Sequence, residues 1–133
     1  MPDSQRTVVR DPAVLALGHG LFNLAGGTWP LVSMRSFEWF FGPKRDRWLQ
    51  RTAAALLASA GWSQLRAGTS PDGLEHARRI GLCTATTLLT IDVVYFARGQ
   101  IKWTYLLDGV AEACWIAAWL QADAPKDRAK KRK

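Results

Sequence analysis

Three carboxylates stand where the chain is otherwise without charge: Asp92, Asp108 and Glu112. Asp92 comes six residues before Arg98, and Asp108 comes six residues after Lys102. If the segments on either side of Arg98–Lys102 are helices, so short a link folds them into an antiparallel hairpin. The two aspartates then lie at one level, roughly 9 Å in from the link at ~1.5 Å per residue. Glu112 follows Asp108 by four and shares its helix face one turn deeper. Grouped carboxylates that avoid water raise one another's proton affinity, which is the chemistry of a proton relay or of a site for a small cation.

A second pair of polar residues, His19 and Asn23, is also spaced by four on an apolar segment. Counted from Arg35, Asn23 sits about 18 Å deep, close to the ~15 Å of Glu112. A cluster of Asp92, Asp108, Glu112 and Asn23, reaching His19, is therefore the candidate proton- or ligand-binding site. A packing role competes with it. Arg35 and Arg51 fall at the same end of the fold as Asp92 and Asp108, and buried ion pairs with them would fix geometry without function. No catalytic residue is assigned. No metal and no cofactor is expected, because no recognised ligand spacing occurs, and Cys83 and Cys114 belong to no CxxC pair. Both thiols are expected to act as small apolar packing residues.

The elements that must carry these side chains follow from how charge is distributed. Mean hydropathy is −0.09, an unremarkable average. Yet of 18 Lys/Arg and 11 Asp/Glu, only Asp92, Asp108 and Glu112 fall in the windows 13–34, 53–65, 80–97 and 103–122. The first, third and fourth windows would span roughly 33, 27 and 30 Å as helices, enough to cross a hydrocarbon core of about 30 Å. The second is short and crosses only if residues 48–51 add a turn with Arg51 snorkelling outward. The predicted fold is all-α, an antiparallel four-helix transmembrane bundle over residues 1–122, with helices at about 12–34, 48–65, 78–97 and 102–122. A soluble bundle is the competing reading, but the first window shows no polar stripe at helical period.

Asp11-Pro12 supplies a cap and a first-turn proline for the first helix, and Pro30 is expected to kink it near its end. Residues 36–47 are expected to be a connection turning at Gly42-Pro43, and Ser70-Pro71-Asp72-Gly73 a loop turn. The tail, residues 123–133, is basic and expected to be disordered. No cleavable signal peptide is evident, so the first span reads as an uncleaved anchor.

The run from Trp39 to Trp48 mixes rings with charge, as the edge of a bilayer demands. Trp39 and Trp48 suit headgroup depth, while Lys44, Arg45 and Arg47 suit phosphates. Counting Lys and Arg on each side places both termini in the cytoplasm, a result that depends on the tail. Expected partners are the lipid bilayer, anionic headgroups at the tail, and a membrane protein or a second copy. Nucleic acid is not expected, since a juxtamembrane basic tail serves lipid more simply.

WPLVSMRSFEWFFGPKRDRWL (29–49) together with DVVYFARGQIKWTYLLDGVAE (92–112) resembles a family of small uncharacterised bacterial four-helix integral membrane proteins. The resemblance implies a multi-pass protein of the bacterial cytoplasmic (inner) membrane, and no activity. Four helices around intramembrane acids are also similar, by analogy alone, to EXPERA-type bundles. The expected function is binding or transfer of a proton or a small cationic or lipidic ligand. A scaffold subunit docking a partner protein is one alternative, and a membrane enzyme using general acid and base on an apolar substrate is another.

Overall fold

The computed structural model describes residues 10–124. Five helices follow one another: α1 Pro12–Val32, α2 Met34–Phe41, α3 Arg47–Leu65, α4 Pro71–Ala97 and α5 Tyr105–Gln121. Among the described residues there is no strand.

Local chemistry fixes most of the boundaries. Asp11 accepts from the Ala13 N–H at 3.0 Å and Pro12 opens α1, so one orphan donor is capped where a proline costs nothing. Pro30 lies inside α1, which ends two residues later, and the chain breaks at Ser33 in an extended conformation. Instead of a connection, residues 34–41 then form the short helix α2, with the Ser33 hydroxyl accepting from the Ser36 N–H. Gly42, at φ +97°, ends it. The expected turn at Ser70-Pro71-Asp72-Gly73 is in fact the start of α4. Ser70 is its N-cap, accepting from Gly73 N–H at 3.1 Å, and Pro71 is its first residue. A Cβ on Gly73 would lie 2.1 Å from the Ala67 carbonyl oxygen, so the tetrapeptide is a helix entry that only glycine permits. At the far end of α4, Gly99 at φ +68° closes a Schellman cap, with Gly99 N–H on Phe96 O and Gln100 N–H on Tyr95 O, both 2.9 Å. The link between α4 and α5 therefore runs to residue 104, longer than expected.

α1 packs chiefly on α3, and α4 on α5. The first pair is backbone against backbone. A Cβ on Gly27 would fall 2.5 Å from Ala54 O and Ala58 N, and one on Gly61 would fall 2.4 Å from Leu24 N and 2.6 Å from Gly20 O. Gly20 faces Gly61 while Gly27 faces Ala54, which sets the two helices antiparallel. The apolar core at one end joins Leu15 and Ala16 of α1, Leu74 and Ala77 of α4, and Trp119 of α5. The main-chain N–H of Asp123 donates to Arg10 O at 2.9 Å, so the two ends of the described chain meet there.

His19, Asn23, Gln64, Asp92, Thr104 and Glu112 are buried, while Leu17, Leu21, Leu56, Val93, Val110 and Leu120 are each more than half exposed. Among the described residues one helix, α4, is long and apolar enough to cross a membrane by length and composition. α5 has 17 residues, and α1 carries His19 and Asn23, both turned fully inward.

Replacing Gly61 by Ala should destabilise the fold by about 1–3 kcal/mol, since the clash is with backbone that cannot move aside. Gly26→Ala is the control: its Cβ would meet nothing within 4 Å. It should be neutral or stabilise by about 0.5–1 kcal/mol. Thermal unfolding followed by circular dichroism checks both.

Candidate functional site

Two layers of buried polar groups occupy the interior. The first is a hub to which all four long helices contribute. Trp119 Nε1–H donates to His19 Nδ1 at 3.0 Å, and Gln64 Nε2 lies 3.3 Å from the same nitrogen. Indole is a donor only, so Nδ1 accepts and the ring proton of neutral His19 sits on Nε2. Gln64 also donates to Ala77 O at 3.4 Å and accepts from Asn23 Nδ2 at 2.8 Å, while Asn23 reaches Thr84 Oγ1 at 3.5 Å. The His19 ring stacks on Trp115, 4.6 Å between centroids and 11° from parallel. Gly81 makes this convergence possible. A Cβ there would stand 2.5 Å from Trp119 Nε1, 2.9 Å from His19 Nδ1 and 3.0 Å from Gln64 Nε2.

The second layer is acidic. Asp92 of α4 packs against the α5 turn that carries Asp108, its Oδ2 3.7 Å from the Cβ position of Gly109. The small Gly109 admits the approach, its Cβ position being 3.6 Å from Asp92 Cβ. Glu112 lies one turn further along α5 with no exposed surface, and neither of its oxygens has a hydrogen-bond partner. Asp92 Oδ2, Asn23 Oδ1 and His19 Nε2 are likewise buried without partners. Tyr105, three residues before Asp108, bonds to the Lys44 ammonium.

The structure thus brings Asp92 and Asp108 together and sets Glu112 on their face, but ties Asn23 and His19 to Gln64 and Trp119. Among the described residues no hydrogen bond links the two layers. Arg35 and Arg51 are exposed, and neither forms an ion pair with an aspartate. The expected buried pairs are not made, because both side chains leave the protein at its surface.

Among the interfacial residues, Trp39 and Trp48 are 79% and 69% exposed and Arg45 is exposed. Lys44 and Arg47 differ from expectation. Lys44 folds inward over Tyr105, and Arg47 is held by Glu38 through Nε at 2.8 Å and Nη2 at 2.9 Å. Cys83 and Cys114 are exposed rather than packed inside. Thr87 and Thr90 bond back to carbonyls four residues earlier, as helical threonines do. Residues 125–133 of the basic tail lie outside the described residues.

Gln64 and Gly81 escape a reading of the sequence alone. Gln64 is the only long polar side chain in 53–65, which is a signal. Gly81 gives none, since its partners are distant in the chain. Among the described residues no group of three His, Cys, Asp or Glu side chains is arranged to hold a metal ion. Comparison of the chain with protein families, curated proteins and solved structures finds no match.

Gly81→Ala should break the hub at a cost of about 1–3 kcal/mol, and the Trp119 indole N–H resonance should shift with it. At the surface, the Arg47 hydrogen bond holds the Glu38 carboxyl below its ordinary value. Its contribution is complete above that ordinary value and is lost as pH falls through the depressed one. Acid titration of stability should show this loss in the native protein, and Glu38→Gln should flatten it.

Proposed function

We propose that the chain is a multi-pass membrane protein, a four-helix transmembrane bundle whose acidic hairpin takes up and passes on a proton. The bilayer would be a bacterial cytoplasmic membrane, with both termini on the cytoplasmic side. The observation that carries the reading is Glu112, a carboxyl with no exposed surface and no partner, inside a protein whose outer face is apolar. A charge at mid-membrane costs about 2.5–3.5 kcal/mol on insertion scales, and such residues persist where they are used. A proton can reach a fully enclosed carboxyl without repacking, whereas a lipid cannot. Polar groups follow one another along α5 in the order Tyr105, bonded to Lys44, then Asp108 with Asp92 beside Gly109, then Glu112, which supports a sequence of relay stations.

A second reading, a scaffold subunit docking a partner protein, is favoured by an open groove of about 570 Å³ on the outer face of α4. Leu82, Cys83, Thr86, Thr87, Thr90 and Ile91 line it. A protein co-purifying in fixed stoichiometry would support that reading.

The proton reading is tested in liposomes loaded with a pH-sensitive dye, driven by a potassium diffusion potential. The native chain should acidify the lumen, and Glu112→Gln or Asp92→Asn should bring the rate to that of protein-free liposomes with helicity and melting unchanged. Equal rates for native and variant chains would defeat the proposal, as would variants that fail only because they do not assemble.

A further inference from the structure

Lys44 is a half-buried lysine that no carboxylate pairs with in an ion pair among the described residues. Its ammonium hydrogen-bonds the Tyr105 hydroxyl and stands 4.5 Å from the Tyr105 ring centroid and 5.9 Å from that of Phe37. Phe41 completes the wall, 4.6 Å from Tyr105 and 4.8 Å from Phe37. Trp29 backs it, 5.5 Å from Phe37 and 5.7 Å from Phe41.

These rings are fixed from outside. Thr104 Oγ1 donates to Phe40 O at 2.7 Å, binding the end of α2 to the α4–α5 link, and Trp29 Nε1–H donates to Ser36 Oγ at 2.8 Å. Burial pulls the Lys44 ammonium below the ordinary lysine value, and the Glu38 charge pulls it partly back. Chain geometry does not require this placement. Lys44 follows the turn at Gly42, and its neighbour Arg45 points to solvent. An ammonium that gives up water for the rings of Phe37 and Tyr105 and the Tyr105 hydroxyl, with Phe41 packed behind them, is being recognised by them.

We propose that Phe37, Phe41 and Tyr105 form a receptor for a primary alkylammonium ion, filled in the resting protein by Lys44 as a tethered occupant. A free alkylammonium of similar length competes with Lys44 for the same rings. Tyr105 opens α5 three residues before Asp108, so the receptor stands at the outer end of the acidic layer. That last connection rests on the function proposed above; the receptor itself does not.

The probe is n-butylammonium, which reproduces the lysine side chain, with n-butanol as its uncharged counterpart. Binding to the full chain is read by ligand-detected NMR. Lys44→Ala empties the receptor and should bind n-butylammonium at least about tenfold more tightly than the native chain, with no binding of n-butanol. Adding Tyr105→Leu should remove that gain. Lys44→Ser, which suits a turn, carries the same expectation should the alanine variant fold poorly. Lys44→Ala/Glu112→Gln separates the two proposals: it should keep n-butylammonium binding while losing proton transfer. Equal binding by native and Lys44→Ala chains, or binding that survives loss of Tyr105, would overturn the receptor and leave Lys44 a packing residue.

Discussion

One amide holds the long helices in register. Gln64 of α3 receives the Asn23 amide of α1 and faces both the His19 ring and the Ala77 carbonyl of α4, while Trp119 of α5 closes on the same ring. Buried polar groups must find partners, and here they find them only in one another. The partners come from all four long helices, so rotation or sliding of any one would leave groups unpaired. The glycine faces follow from this. Gly20, Gly27 and Gly61 let α1 and α3 approach until backbones touch, and Gly81 leaves the hollow that the hub fills.

The acidic layer shows the opposite economy. The hub satisfies most of its donors and acceptors, whereas Glu112 satisfies neither oxygen and Asp92 leaves one bare. Such groups destabilise a fold unless protons, water or ions supply what side chains do not. Under the proposed proton-transfer reading, the satisfied layer fixes distances beside carboxyls that remain open to a proton. Lys44 and Tyr105 stand at the outer end of that layer, where α2 is fastened to the link between α4 and α5.

Much of this was legible in the sequence, and the rest failed for physical reasons. The level of Asp92 with Asp108 followed from counting residues out from a short link, because helical rise is constant. The link proved longer, yet it lengthened on the α5 side only, by a turn at residues 102–105. Asn23 was placed by depth alone, and depth does not say which way a side chain turns; it chose the Gln64 amide. Ser70-Pro71-Asp72-Gly73 was read as a turn because the same residues serve turns and N-caps, and only the position of Ala67 decides between them. α2 was missed since eight residues of rings and charge carry too little periodicity to declare a helix. Its register is set by Thr104, sixty-four residues away.

All of it depends on which solvent bathes Leu17, Leu56, Val93 and Val110, the exposed apolar side chains of the four long helices. The most direct measurement is alkaline carbonate extraction of membranes from cells expressing the chain, followed by ultracentrifugation. The account predicts that the protein stays in the pellet and is released by detergent alone. Recovery as a monodisperse, folded protein in the detergent-free supernatant would contradict it, for the apolar surface would then be facing water.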